Sequence, residues 1–598
     1  MGASPSGAGG DRARWPLNPL VALTVVALLV APAVVPPFYV TLLNYIGLYS
    51  LVALGLMLLT GVAGLTSFGQ AAFVGVGAYV TAILTTQFGW SPWLTLPVAL
   101  AATVVVALVL GIVTLRMSGH FLPLATIAWG ISLYYLFGTV PTLGGFTGLT
   151  GIPALNLFGF ELRQERHFYY LIWAIALGCL WATHNLLDSR TGRAIRALKT
   201  SASMAESFGV DAVRLKTIVF VYAALLACVS GWLYAHLQRF VNPTPFSLNA
   251  SIEYLFMAVV GGAGNVWGAV IGATLITLLK EILQSVLPKL LGQTGQFEVI
   301  VFGILIVLLL QRAPEGLTPF FARFRSRKTT GVPPASPLPH RAPPAASSAE
   351  LLDVRAARKA FGGLVAVNDL SFGLHRGEIL GLIGPNGAGK STMFNLISGL
   401  LPLSGGDIAF NGTPINGKAP YDIAACGIAR TFQHVKLIGT MSVLDNVALG
   451  AWLRTSSGLG RSALRLDRGD EERIRFLAAE QIRRVGLGEH LHDAASSLPL
   501  GKQRIVEIAR ALAADPSLLL LDEPAAGLRY GEKQALAKLL RQLQGEGISI
   551  LLVEHDMEFV MGLTHRLVVM DFGQKLAEGL PADIQRNPVV REAYLGAV

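Results

Sequence analysis

The run Gly384-Pro385-Asn386-Gly387-Ala388-Gly389-Lys390-Ser391-Thr392 follows the apolar stretch Ile379-Leu380-Gly381-Leu382-Ile383 and precedes an apolar helical pattern. Glycines at this spacing let successive backbone N–H groups turn toward one point, and the start of the following helix adds its partial positive charge. Lys390 can reach the outer phosphates of a nucleotide, and Ser391 can ligate Mg²⁺. Further on, Leu518-Leu519-Leu520-Leu521 ends in Asp522 and Glu523. Asp522 is placed to hold Mg²⁺ through water, and Glu523 to polarise an attacking water. The two motifs together specify hydrolysis of a nucleoside triphosphate.

Both motifs need buried strands to launch them, and the apolar runs before each supply these. The nucleotide half therefore reads as an α/β domain spanning 351–598. At 598 residues the chain is too long for a single core, so two or three domains are expected. Only 14% of residues are charged and 53% are hydrophobic, against roughly 25% charged in ordinary soluble proteins. From Trp15 to Leu115 there is no Asp, Glu, Lys or Arg. Apolar runs of about 20 residues are the length a helix needs to cross a bilayer, so residues 1–328 read as a polytopic α-helical membrane domain of eight or ten spans. A cleaved signal peptide is the rival reading for the first run, but apolar segments continue far beyond it. Candidate spans cover 17–36, 41–60, 65–85, 92–115, 121–141, 168–187, 217–238, 252–287 and 296–311, with 252–287 broken in two. The net charge of +10 flanks these segments rather than forming one face, which excludes nucleic acid as the expected partner in favour of membrane lipid. Cys179, Cys228 and Cys426 are scattered without metal-ligand spacing and receive no function.

Between Asp188 and Lys216 lies a loop rich in Arg and Lys, which the positive-inside rule places in the cytoplasm. Arg12 and Arg14 before the first span, and Arg323, Arg325, Arg327 and Lys328 after the last, put both flanks on that side. Within the loop, Gly192 to Val210 reads as one short amphipathic helix, with Ala194, Ile195, Leu198, Ala202 and Ala205 at helical spacing. It is either a solvated surface helix or a coupling helix seated in the nucleotide half. Glycines crowd two segments, Gly61 to Gly77 and Gly261 to Gly268. They either break helices that line a solute path or let helices pack closely. The segment 329–350, with Pro333, Pro334, Pro337, Pro339, Pro343 and Pro344, reads as an extended linker reaching ~60 Å, which leaves docking of the halves to their surfaces.

Leu498-Pro499-Leu500-Gly501-Lys502-Gln503-Arg504, leading into a helix, resembles the signature motif of ATP-binding-cassette (ABC) proteins. Gln433, after Gly427-Ile428-Ala429-Arg430-Thr431-Phe432, is similar to the Q-loop, His555 to the switch histidine, and Phe361 to the aromatic that stacks on adenine. The resemblance implies an ABC ATPase fold with a helical subdomain. It also implies ATP on Phe361, Gly384 to Thr392 and Gln433, Mg²⁺ on Ser391, Gln433 and Asp522, and catalysis by Glu523 and His555. Pro499, Leu500, Gly501, Lys502 and Gln503 would touch ATP held by a second domain in a head-to-tail pair. Two residues depart from the pattern: Pro499 stands where a serine hydroxyl is usual, and Arg529 where an aspartate is usual.

Phe361 to Asn368, Gly427 to His434, Asp522 to Leu528 and the tail Asn587-Pro588 to Gly596 further resemble the "G" ATPase subunit of branched-chain amino acid (LIV) importers. Ala53 to Leu56, Gly61 to Ala78, Gly192 to Gly209 and Val260 to Gly268 resemble their "M" permease. The resemblance implies ATP-driven import of branched-chain amino acids across a bacterial inner membrane, with the ATPase in the cytoplasm. Implied partners are a periplasmic substrate-binding protein and an H-type permease with an F-type ATPase, or a second copy of this chain. Other members carry amides, urea or other amino acids. An exporter, or an ATPase that regulates without transport, is the alternative; the charge-free first 101 residues of the span region argue against the exporter.

Overall fold

The computed structural model describes residues 19–115, 121–157, 159–262, 264–291, 297–312, 316–317, 332–341 and 350–595. Arg12, Arg14, Arg323, Arg325, Arg327 and Lys328 lie outside the described residues, as do Pro343 and Pro344.

The first part is helical: α1 (Pro19–Val34), α2 (Pro37–Leu56), α3 (Gln70–Thr86), α4 (Pro92–Thr114), α5 (Phe121–Thr139), α6 (Glu165–Leu187), α7 (Arg190–Thr200), α8 (Ala202–Glu206), α9 (Ala212–Gln238), α10 (Leu248–Gly261), α11 (Val266–Leu291) and α12 (Phe297–Arg312). Short strands β1 (Leu149–Thr150), β2 (Asn156–Leu157), β3 (Phe160–Glu161) and β4 (Phe240–Val241) form two small ribbons, β1 with β4 and β2 with β3. Against the eight or ten spans expected, six segments among the described residues are long and apolar enough to cross a membrane: Pro37–Val62, Pro92–Thr114, Phe121–Thr139, Glu165–Leu187, Ala212–Gln238 and Val266–Val286. The helices α3 and α10, 17 and 14 residues long, are shorter because backbone breaks truncate them. The chain leaves a π-helical turn at Val62, runs unwound through Gly64 and Gly69, and starts α3 only at Gln70. The stretch expected over 252–287 is divided, α10 ending at Gly261 and α11 starting at Val266.

Close packing accounts for part of the glycine content. A Cβ on Gly261 would lie 1.8 Å from the Gly268 carbonyl oxygen, so α10 and α11 can meet there only without side chains. Exposed Val105, Val109, Ile112 and Val113 on α4, and Phe121 and Leu124 on α5, make an outward apolar surface suited to lipid.

The amphipathic loop segment is helical but forms two helices. Ser201 is extended (φ −165°) and its hydroxyl accepts from Met204 N–H, which ends α7 and caps α8.

The second part holds β5 (Glu350–Phe361), β6 (Leu364–His375), β7 (Ile379–Ile383), β8 (Gly405–Phe410), β9 (Thr413–Pro414), β10 (Ile428–Arg430), β11 (Leu518–Asp522), β12 (Ser549–Val553), β13 (Arg566–Asp571) and β14 (Gln574–Gly579). Its helices are α13 (Lys390–Ile397), α14 (Pro420–Cys426), α15 (Val443–Ala448), α16 (Leu459–Ala463), α17 (Arg468–Arg484), α18 (Leu500–Ala513), α19 (Tyr530–Gly545), α20 (Met557–Leu563), α21 (Pro581–Arg586) and α22 (Pro588–Leu595). A six-stranded sheet runs β10-β11-β12-β7-β13-β14, parallel except for β14, and an antiparallel sheet runs β6-β5-β8-β9. Strands β7, β11 and β12 are buried along their whole length, which is why they read as unbroken apolar runs. Helices α15, α17 and α18 form a separate apolar core around Val443, Ile474 and Val506.

The linker is not wholly free. Leu338 is 4% exposed inside that helical core. Arg341 N–H donates to Asp515 Oδ2 at 2.6 Å, and Arg454 donates to the carbonyls of Leu338 and Pro339 at 3.1 and 2.8 Å. Val332 packs against the same core, so two apolar side chains of this Pro-rich segment, with a carboxylate and a guanidinium to satisfy the backbone near Leu338, dock it.

Candidate functional site

Strand β7 delivers the chain into the loop Gly384 to Gly389, and α13 receives it. Gly384 has φ +153°, and a Cβ there would lie 2.1 Å from the Met570 carbonyl oxygen, so only glycine fits beside β13. Lys390 is buried, and its ammonium donates to the carbonyls of Gly384 and Pro385 at 2.7 and 2.8 Å, folded back across its own loop. Burial lowers its pKa, opposed by the charges of Glu523 and Asp522. Asn386, Gly387 and Ser391 are exposed at the mouth of the loop, Pro385, Gly389 and Thr392 are partly so, and Ala388 is buried.

Strand β11 brings Asp522 and Glu523 alongside. Asp522 is 2% exposed; Arg430 lies 3.5 Å from its Oδ2. Its Oδ1 has no hydrogen-bond partner among the described residues. Burial pushes this carboxyl above its ordinary range, with Arg430 pulling the other way. An orphaned, buried carboxylate oxygen, with the exposed Ser391 hydroxyl at the mouth of the Gly384 to Gly389 loop, fits a divalent cation.

Glu523 sits in the left-handed region (φ +51°), a conformation uncommon outside glycine, which turns the chain sharply at the strand end. Its Oε1 accepts from Gln433 Nε2 at 3.0 Å and lies 3.0 Å from His555 Nε2. Three residues named from separate stretches of sequence thus meet on one oxygen. Phe361 ends β5 at the tip of the β5–β6 hairpin, 46% exposed, with Lys359 Nζ 5.1 Å from its ring centroid.

The signature residues stand apart. Among the described residues no hydrogen bond joins Pro499, Leu500, Gly501, Lys502 or Gln503 to Gly384–Thr392. Pro499 caps α18 without any side-chain bond, Leu500 is 54% exposed, Gln503 Nε2 donates to Leu498 O and Lys502 Nζ lies 2.8 Å from His490 Nε2.

The comparisons with known proteins agree in both halves. Residues 38–310 match the family "Branched-chain amino acid transport system / permease component", 367–526 match "ABC transporter", and 574–598 match "Branched-chain amino acid ATP-binding cassette transporter". The high-affinity branched-chain amino acid transport ATP-binding protein LivG of Salmonella typhimurium is 42% identical over 252 residues, 42% of this chain and 99% of that protein. The corresponding protein BraF of Pseudomonas aeruginosa is 39% identical with the same coverage. A solved nucleotide-free ATP-binding cassette from an ABC transporter is 31% identical, covering 42% of this chain and all of that one, with a TM-score of 0.38. This chain belongs to the branched-chain amino acid ATP-binding cassette transporter family. It is a membrane protein carrying its own nucleotide-binding ATPase, whose hydrolysis is coupled to transport.

In this transporter the two halves are in contact. Arg193 on α7 pairs with Glu471 on α17 through both oxygens, at 2.8 and 3.2 Å, with only 3% and 13% of the side chains exposed. Arg190 N–H also donates to Glu471, its guanidinium donates to Ser457 O at 3.0 Å, and it lies 3.8 Å from the Trp452 ring centroid. Burial, and then the like charge of Arg193, pull Arg190 down to about 10, with Glu471 and Asp470 opposing. Asn185 donates to Ala463 O at 3.1 Å and Arg475 to Asp188 at 2.9 Å, which ties α16 and α17 to the end of α6.

Two routes connect this interface to the ATP site. Lys436, three residues beyond Gln433, reaches Ser201 and Ser203 at 3.3 and 3.4 Å. Arg510 on the signature helix α18 sits 4.9 Å from the Phe208 ring, paired with buried Glu507 at 3.0 Å and donating to Lys436 O. Arg504 completes the link, its guanidinium donating to Glu523 O at 2.7 Å and Gln433 O at 3.3 Å.

Arg504, Arg430, Glu471 and Trp452 carry no motif of their own. For Arg504 and Arg430 the signal was adjacency, one closing the signature run and the other lying inside the Q-loop run. Tyr594 on α22, within the tail singled out by the resemblance but given no role there, also enters the site. Its hydroxyl meets the Gly384 backbone, and burial raises its pKa to about 12 against that hydrogen bond.

Restoring a hydroxyl by Pro499→Ser is expected to raise the steady-state ATPase rate of the assembled transporter about tenfold, the worth of one hydrogen bond to a charged phosphate. An unchanged rate would show that this signature does not limit turnover.

Proposed function

We propose that the chain imports branched-chain amino acids or related small solutes across a bacterial inner membrane, as permease (1–328) and ATPase (351–598) joined by the linker 329–350. The ATPase half lies in the cytoplasm. The observation carrying this reading is the link from Glu523 to Gln433 by a hydrogen bond, along the backbone to Lys436, and from Lys436 to Ser203 of α8 in a half matching a branched-chain amino acid permease.

In this reading Phe361 stacks on adenine, and the Gly384–Thr392 backbone with Lys390 holds the phosphates. Lys390 must then leave the carbonyls of Gly384 and Pro385. Ser391, Gln433 and Asp522 hold Mg²⁺, which when bound shields the phosphate charge. Glu523 orients and polarises the attacking water, and His555 fixes the carboxylate. Pro499 to Gln503 face a second ATPase domain, so a second permease and ATPase, or a second copy of this chain, complete the assembly. A periplasmic binding protein delivers the solute.

Membrane vesicles containing the assembled transporter should accumulate labelled leucine, isoleucine or valine only with ATP and the cognate binding protein. Accumulation of an amide or urea instead would reassign the solute, and none dependent on a binding protein would sink import.

A further inference from the structure

Inside the apolar spans, one pair of opposite charges stands out among the described residues. Lys280 Nζ on α11 donates to both carboxylate oxygens of Glu253 on α10, at 2.8 and 3.0 Å. Neither side chain is sealed: 43% of Lys280 and 31% of Glu253 remain exposed. Glu281 follows Lys280 along the same helix.

The depth of this pair follows from its neighbours. Tyr254, next to Glu253, lies with its ring 5.5 Å from that of Tyr49, and Tyr49 is central in the candidate span Pro37–Val62. Lys280 lies within the span Val266–Val286. The charges therefore sit well inside the bilayer, where exposure to hydrocarbon is strongly disfavoured. A half-exposed ion pair at this depth requires water or protein over it, not lipid.

The surroundings are polar in a second, independent respect. Helix α3 begins at Gln70, and Ala71 N–H donates to the hydroxyl of Ser251, two residues before Glu253, at 3.1 Å. The Gln70 side chain is 1% exposed, yet neither its oxygen nor its nitrogen has a hydrogen-bond partner among the described residues. Truncated helices with unsatisfied polar groups at mid-membrane are tolerated where they border a water-filled cavity.

We infer that Glu253 and Lys280 line the solute path and take, respectively, the ammonium and the carboxylate of a zwitterionic amino acid. With no solute present the two satisfy each other. A zwitterion can replace both partners at once, whereas a lone ion would leave one of them uncompensated, so the pair favours dipolar solutes of no net charge. The inference rests on the import reading above, and it names where in the membrane the solute passes.

The test uses the full chain in its assembled transporter. In a chain with Cys179, Cys228 and Cys426 replaced by serine, Lys280→Cys should react with a charged, membrane-impermeant methanethiosulfonate, and leucine-loaded binding protein with ATP should slow that reaction. Glu253→Gln/Lys280→Met should lower leucine uptake about tenfold or more. The reversal Glu253→Lys/Lys280→Glu, which keeps a salt bridge, should stay impaired. Full uptake in the reversed variant would mark a structural brace, and no thiol reaction at residue 280 would seal the pair from water; either overturns the inference. A parent chain that moves no leucine while residue 280 still reacts would sink the solute assignment but keep the path. A parent that moves leucine while residue 280 stays inert would do the reverse.

Discussion

Glu523→Gln is expected to bind ATP normally, to hydrolyse it about 10²-fold or more slowly, and to lose uptake in proportion. The amide keeps the shape of the side chain and its contact with His555, so nucleotide affinity should hold. What it loses is the carboxylate charge proposed above to polarise the attacking water. The geometry makes this residue hard to replace from nearby: its left-handed backbone fixes the side chain, and its Oε1 is shared by Gln433 and His555. Nucleotide binding by filter retention, phosphate release and leucine uptake on one preparation would check all three parts. Uptake at the parent rate would remove Glu523 from the role of essential base.

Glu471→Ala is expected to separate ATP hydrolysis from transport. The substitution takes from Arg193, whose side chain is 3% exposed, the one carboxylate that pairs with it among the described residues, and leaves the Arg190 N–H without its acceptor. Breaking one side of a buried pair costs about 3–5 kcal/mol, mainly because the remaining charge is stranded. The ATPase fold should survive, since Glu471 lies on the outer helix α17 and not in the sheet. Hydrolysis should therefore persist while uptake collapses, read as the ratio of solute moved to phosphate released. Arg193→Met in the same chain should restore part of the coupling, because no uncompensated charge remains. If single and double variants couple like the parent, docking does not depend on this pair.

The motif residues were legible in the sequence because the physics that ties them together is local. A strand, a turn of glycines and a helix start lie within fourteen residues, and each position has a steric or electrostatic reason visible from its neighbours. The apolar spans were legible for the same reason, since hydrocarbon excludes charge residue by residue. Where a helix divides was less so: Ser201 reads as an ordinary member of an amphipathic run until its extended backbone and its bond to Met204 are seen. The interface was not legible. Glu471 and Trp452 look like solvated or core residues in sequence, and meet Arg190 and Arg193 only after some 280 intervening residues have folded. Leu338 was hidden differently, because Pro and Ala composition describes what a segment does alone, not what one buried leucine does against a neighbouring core.

That docked leucine has a consequence for assembly. Leu317 N–H donates to Val260 O in the permease half, and Leu338 is anchored in the ATPase. Should the Arg193–Glu471 contact open during turnover, it re-forms as an intramolecular event at an effective concentration in the ~mM range. An interface that would be too weak between separate subunits can then serve, and it can release and recapture within every cycle without the ATPase being exchanged for another.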